Sequence, residues 1–216
     1  MLICKYSRRE NAAFVPHLDT LRAVTMAIRR IGANAQYSEG FNPHMKIFFG
    51  QPLPVGTESD CEYFCAHVSD EPHDFMARMN ESLPSGLRIA AAAYTENDPN
   101  VAKLMYAAAY TVTMRAPTPT LSLASAFLQQ ERCTIAFCAK GEEKQKDVKE
   151  LILSMQAENE QTLSLKLRCG NVNLRADRLM ASLRERYGWG GYDIRKTNMY
   201  DCTGQDLDIL LFGSGK

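Results

Sequence analysis

The order in which hydrophobic periodicities change along the 216 residues predicts an α+β fold made of two successive β-α-β-β-α-β passes. Three observations carry that expectation. Apolar spacing switches between a period near two and one near 3.6 in the same order twice. A turn-rich stretch, Thr95-Glu96-Asn97-Asp98-Pro99-Asn100, separates the passes, and glycine or proline closes the helical segments. Each pass has the order of a ferredoxin-like unit, an antiparallel sheet with both helices on one face. The expected units are 1–96 and 101–200, the second with a charged insertion at 140–150, followed by a tail at 201–216.

Leu2-Ile3-Cys4-Lys5-Tyr6 reads as the first strand and Ser7-Arg8-Arg9-Glu10-Asn11 as its polar exit. Over residues 17–31, Leu18, Leu21, Val24, Ile28 and Ile31 recur every three or four positions, so one helix face is apolar while Arg22, Arg29 and Arg30 project elsewhere. Asp19 suits the positive end of that helix, and Gly32 its cap. Ile47-Phe48-Phe49 reads as a short buried strand. It is joined through the stiff turn Gln51-Pro52-Leu53-Pro54-Val55-Gly56 to an alternating strand over 60–68 with one wet face. Pro72 opens a second helix on Phe75, Met76, Met79 and Leu83, and Pro84-Ser85-Gly86 ends it before a strand over 87–94.

In the second pass, 106–114 reads as a strand, 121–131 as a short helix and 133–138 as a strand. Residues 140–147 form a charged loop, and Val148, Leu151, Ile152 and Met155 are spaced as a short helix ahead of the alternating strand 163–167. A helix over 175–187 buries Leu179, Met180 and Leu183, stops at Gly188 and leads to a last strand, 192–196. The tail holds an apolar run over 207–212 and a loose Gly-Ser-Gly end. The helix-free face of such a sheet carries stacking aromatics in RNA-recognition domains, and Tyr6, Phe48, Phe49, Tyr63 and Phe64 are available to it here.

With 45% hydrophobic and 23% charged residues the chain has the composition of an ordinary globular protein. No apolar run approaches the ~20 residues that span a bilayer, and the first residues begin a strand rather than a leader. A cytoplasmic protein with no membrane contact is expected. Seven cysteines scattered through apolar runs suit reduced core thiols. There is no Cys-x-x-Cys, and Cys61-x-x-x-Cys65 lacks the third thiolate of an iron–sulfur site, so no metal or cofactor is expected on this chain itself. Net charge is zero but uneven: residues 1–50 hold seven Lys/Arg against three Asp/Glu, and 51–100 hold two against nine. Contact with a polyanion would therefore be local.

The densest chemistry lies in Tyr37-Ser38-Glu39-Gly40-Phe41-Asn42-Pro43-His44-Met45-Lys46. Proline fixes φ and glycine admits positive φ, so this composition gives a stiff loop whose polar groups are able to point at a ligand. The candidate ligand- or RNA-binding set is His17, Asp19, Arg22, Tyr37, Ser38, Glu39, Phe41, Asn42, His44, Lys46, Arg175 and Arg195. Lys46 and the arginines supply charge-assisted hydrogen bonds, Ser38 and Asn42 neutral ones, and Tyr37 or Phe41 a stacking surface. The expectation includes a shared, solvent-reachable hollow formed by His17, Glu39, Asn42, His44 and Lys46.

His17-Leu18-Asp19, the Tyr37–His44 stretch with Lys46, and Leu53-Pro54-Val55-Gly56, in that order, resemble the radical-SAM-linked uncharacterised domain. Lys140 with Asp147-Val148-Lys149, Asn173-Leu174-Arg175 and Ile194-Arg195-Lys196-Thr197 extend the resemblance over nearly the whole chain. Met45 and Ala176 stand where that family commonly has proline. The resemblance implies a domain fused to, or encoded beside, a cobalamin-binding radical SAM protein, often near a ribonuclease that processes RNA ends. Because the cluster and cobalamin motifs are absent, it implies the companion rather than the radical enzyme. A fainter likeness, in fold order and a His-bearing first helix, is to CRISPR repeat-processing endoribonucleases.

Three functions follow from these residues. One is a non-catalytic RNA-associated companion that grips a phosphate-bearing ligand or partner through the 37–46 loop. Another is a metal-independent endoribonuclease in which His17 and His44 exchange protons and Lys46 neutralises the phosphate. The third is a structural adaptor for the radical SAM protein, because loop and first helix are rich in the residues that interfaces favour.

Overall fold

A computed structural model describes residues 1–139 and 141–213, without the side chains of Cys138, Ala139 and Glu143. It is a mixed α+β structure on one mostly antiparallel, eight-stranded sheet. The elements are β1 (Leu2–Arg8), α1 (His17–Arg30), β2 (Ile47–Phe49), β3 (Thr57–Ala66), α2 (Pro72–Ser82), β4 (Leu87–Tyr94), α3 (Val101–Leu104), β5 (Ala107–Met114) and α4 (Leu123–Gln129). They continue as β6 (Thr134–Ala139), β7 (Glu142–Asp147), β8 (Ile152–Ala157), β9 (Thr162–Arg168), α5 (Ala176–Tyr187), β10 (Tyr192–Tyr200) and α6 (Leu207–Phe212). Strands lie in the order β4-β1-β3-β10-β5-β9-β8, and β2 also pairs with β3. Among the described residues no helix is long and apolar enough to cross a membrane.

The two halves meet where β10 runs parallel to the start of β3, with Ile194, Arg195 and Lys196 opposite Thr57, Glu58 and Ser59. Residues opposite one another share a face, so register tells which side chains are neighbours. β3 carries one extra residue between Ser59 and Glu62, which face Arg8 and Tyr6 of β1. This bulge turns Glu62 to the same face as Ser59. A second bulge at Thr197 keeps Lys196 and Met199 both on the face of Tyr110 and Ala108. By these registers Arg8, Glu62 and Lys196 all point to the face on which the helices pack. There α1 and α2 bury Val24, Ile28, Phe75 and Met79 against Leu2, Tyr6 and Phe64. On the second half α4 and α5 bury Phe127, Leu179, Met180 and Leu183 against Val112, Leu165 and Ile194.

Beyond the parallel join β2 replaces β10 beside β3. A third core, holding Ile3, Cys61, Tyr63 and Cys65 with Ala108, Cys169 and Met199, fills the divergence and is closed by Val101 of α3 and Leu207 of α6. The apolar run 207–212, expected as part of the tail, is thus docked; Ser214 onward lies outside the described residues, as does Lys140.

Most helices follow their local signals. Gly32 takes φ +65 after α1, and the Ala33 amide bonds back to the Ile28 carbonyl and that of Gly32 to Arg29, closing the last turn. Pro72 stands at the first turn of α2, where the Glu71 carboxylate accepts from the Asp74 amide.

Several expectations are corrected. Leu18 is 65% exposed, and the buried stripe of α1 is Thr20, Val24, Ala27 and Ile28. At ~100° per residue Leu18 lies ~120° round the helix from Val24. The "polar exit" of the first strand is still strand at Arg8, which is buried. The strand predicted with one wet face is central instead and buried on both faces, because the α1–α2 core covers Phe64 and Ala66 on one side and the third core covers Cys61, Tyr63 and Cys65 on the other. The charged stretch 142–147 is β7, paired with β6 in a separate hairpin. The predicted helix through Val148, Leu151, Ile152 and Met155 is a 3-10 turn (Lys149–Leu151) followed by β8. A bulge between Ile152 and Ser154 brings Ile152 and Met155 to one face, opposite Leu167 and Leu165, and so imitates a helical spacing. Of the aromatics expected on a helix-free face, Tyr6, Tyr63 and Phe64 are buried in the cores, and only Phe48 is well exposed.

Candidate functional site

The predicted loop is an arm rather than the rim of a hollow. Tyr37 bridges Met45 as an isolated antiparallel pair. The Ser38 amide donates to the His44 carbonyl at 2.8 Å, the His44 amide to the Ser38 hydroxyl at 3.0 Å, and the Lys46 amide to the Gln36 carbonyl at 2.9 Å. Met45 is buried in the α1–α2 core and anchors the base. Glu39, Asn42 and His44 are exposed, Ser38 and Lys46 half-buried, and Phe41 at the tip is wholly exposed. The Arg29 guanidinium stands 5.9 Å from the Tyr37 ring centre.

His17 belongs to different surroundings. Its ring meets Phe49 edge-on, 6.4 Å between centres. Burial lowers its pKa, an effect the Glu62 carboxylate opposes and the Arg8 guanidinium reinforces. Tyr37, beside Arg29, sits some twelve residues, or ~18 Å, along α1 from His17. The contacts therefore bring together Ser38 with His44, and Tyr37 with the helix end, but join His17 to neither.

The remaining predicted residues are paired elsewhere. Asp19 and Arg22 bond each other at 2.9 Å on the exposed side of α1. Arg175 forms a two-point bond with Asp177, 3.0 Å through Nε and 2.5 Å through Nη2. Arg195 points away from the helices and pairs with Glu58 at 2.9 Å. Burial alone would raise the Glu58 carboxyl. The Glu10 amide and the Arg195 guanidinium outweigh it and hold the group below its usual range.

Sequence reasoning missed a charged cluster at the join of the halves. Glu62, Lys196 and Arg8 are 2%, 5% and 1% exposed. The Lys196 ammonium lies 2.5 Å from Glu62 Oε1. Burial alone would depress that ammonium, but Glu62 foremost raises its pKa, so it is charged at neutral pH. Arg8 donates through Nη2 to the Ala13 carbonyl at 2.7 Å and to the Pro54 carbonyl at 2.9 Å, which ties the Pro-rich turn to the end of β1. A narrow cleft of about 30 Å³, room for one water-sized atom, opens onto Lys196 between Gln51–Pro54 and Asn173–Arg175. Thus Leu53-Pro54, Asn173-Leu174-Arg175 and Lys196, far apart in sequence, share one neighbourhood. Simple alternation was the available signal: once Ile194 faces inward, Lys196 does too, and Arg195 does not.

The helix-free face of the second half is polar. Reading across β10, β5, β9 and β8, its rows are Asp193-Thr113-Thr162, Arg195-Thr111-Ser164-Gln156, Asn198-Ala109-Lys166-Ser154 and Tyr200-Ala107-Arg168. Asp193 pairs with Arg115 at 2.7 Å. A shallow groove of about 180 Å³ runs along Glu58, Thr111, Thr113, Asp193, Arg195 and Thr197.

Comparison with curated proteins gives no match. Among solved structures the chain is similar to one described as "Crystal Structure of a Cbf5-Nop10-Gar1 Complex", at 9% identity and a TM-score of 0.46, over 93% of this chain and 50% of that one. This chain thus spans about half the length of that relative. It is also similar to "Crystal Structure of an Unknown Protein from Galdieria sulphuraria", at 11% identity and a TM-score of 0.27, over 93% of this chain and 96% of that one. Both scores are low, and the sheet registers above define the fold by themselves. A family model described as "Uncharacterized protein conserved in bacteria (DUF2344)" matches residues 2–176, most of the chain, and the protein belongs to that family.

Proposed function

We propose that this chain is a non-catalytic, RNA-associated companion of a cobalamin-binding radical SAM protein, built on two ferredoxin-like units, and that the 37–46 arm is its grip. The observation that supports this is the bare Phe41 ring at the tip of an arm braced at its base. An aromatic held out in water by a stiff support gains by being covered, and the bracing lowers the ordering cost of binding. Ser38, Glu39, Asn42 and His44 surround it with hydrogen-bonding groups, and Lys46 adds a cation at the base.

Binding has more support from the geometry than cleavage. The endoribonuclease reading asks His17 and His44 to flank one phosphate, whereas His17 sits against Phe49 and His44 on the arm. The strand path between Phe49 and His44 is five residues, at ~3.3 Å each when extended.

The test is co-purification from cells that express a cobalamin-binding radical SAM protein alongside this chain, with sequencing of any RNA recovered. Capture of both by the native chain and loss of the radical SAM protein with Phe41→Ala is the expected result. Equal capture by the variant removes the arm as the grip. Recovery of the radical SAM protein without RNA leaves a structural adaptor.

A further inference from the structure

We propose that the helix-free face of β9, β5 and β10 is the track on which a single strand of RNA lies, separate from the arm. The proposal rests on the RNA-associated reading above and supplies the surface that reading lacks.

Four features of the face carry it. Lys166 Nζ sits 3.7 Å from the centre of the Tyr200 ring, and the Arg168 guanidinium 3.8 Å from that of Tyr106. Among the described residues neither cation has a carboxylate within ion-pairing distance, whereas Arg195 and Arg115 are neutralised by Glu58 and Asp193. The two tyrosine-backed cations are thus where this face is open to an anion, and stacking keeps them in place. Between them the central strand carries only Ala109 and the buried Ala107, so the Lys166 side chain crosses it from β9 to lie against Tyr200 on β10. Thr111, Ser164, Gln156 and Ser154 continue the face as hydroxyls and an amide able to bond phosphate oxygens, base edges and the ribose 2′-hydroxyl.

A protein partner fits the face less well. It would have to leave two cations and several hydroxyls under cover with no large apolar anchor, while interface cores favour the reverse. A duplex would meet a face only a few strands wide, about 4.8 Å apart each. A flexible single strand follows the face, with phosphates at the cations and bases and riboses at its hydroxyls.

The experiment is fluorescence anisotropy of the full chain with a 5′-labelled, twelve-nucleotide single-stranded RNA across a salt series. The variants are Lys166→Ala with Arg168→Ala, and Ser164→Glu. Circular dichroism and thermal melts check folding. Ser164→Glu adds a charge without removing either stacked cation, and so covers a failure of the double variant to fold. The expected result is that the double variant binds at least tenfold more weakly, with a logarithmic salt slope smaller by about 1.4, the value for two lost phosphate contacts on a single strand. Ser164→Glu weakens binding likewise. Native affinity in folded double variant and in Ser164→Glu overturns the track, while RNA binding by the native chain preserves the broader reading. No binding by the native chain at low salt overturns both.

Discussion

Lys196, from the last strand of the sheet, and Glu62, from the third, form a buried ion pair that spans the two halves of the chain. Both ions have left water. Their attraction offsets that desolvation only while both are present. Removing one partner strands the other. Glu62→Gln and Lys196→Met are each expected to destabilise the fold by about 3–5 kcal/mol, and Glu62→Leu with Lys196→Met to recover much of that loss. Urea denaturation of the three variants measures it. A double variant no better than the worse single one would show that the cluster is held by something other than mutual charge.

Gly86 closes the turn into β4 at φ +83, and a Cβ there would collide with the Arg9 carbonyl oxygen and lie 2.9 Å from the Ala12 side chain. Gly204 has a similar φ of +85 with nothing within 4 Å. Backbone strain alone costs ~1–2 kcal/mol for alanine in this region. Gly204→Ala should lose about that much, and Gly86→Ala clearly more. Melting curves of the pair isolate the collision from the shared strain.

His17 holds its pKa below the ordinary 6.5 because it is partly buried. The unfolded chain binds the proton more readily, so the contribution is complete above about pH 6.5 and is lost as pH falls toward the folded value. Stability measured at pH 7.5, 6.5 and 5.5 should decline less steeply in His17→Gln than in the native chain. Parallel curves would place His17 in an environment no different from water.

Burial pushes the Cys61 and Cys65 thiols up to about 12 and that of Cys169 to about 11, while Cys202 is exposed. A thiol-specific reagent at pH 8 should label Cys202 within minutes and reach Cys4, Cys61, Cys65, Cys133 and Cys169 only on unfolding. Rapid native labelling of Cys61 or Cys65, located by peptide mapping, would mean that the third core opens.

What the sequence made legible is what local periodicity encodes. The helix of α5 follows from Leu179, Met180 and Leu183 before Gly188, and the β2–β3 pairing from an apolar triplet facing a strand across a Pro-rich turn. Bulges break that logic, because one inserted residue moves every later side chain to the other face. Strict alternation sets Glu62 on the face of Asp60, whereas the bulge turns it to the buried face of Ser59, and the bulge in β8 gives Ile152 and Met155 a helical spacing. The candidate site was legible in composition but not in arrangement. Ser38 and His44 are bonded as a compact loop requires, yet His17 is held away from them by the length of α1.

The parallel join of β10 to β3 also has a consequence in time. A ribosome emits β3 long before residues 194–196, so in that interval the start of that strand has no partner on this side. An open edge of backbone donors and acceptors invites pairing with other chains. Nascent or truncated molecules that stop short of β10 should therefore depend on chaperones, and loss of β10 should cost solubility far beyond its share of the mass.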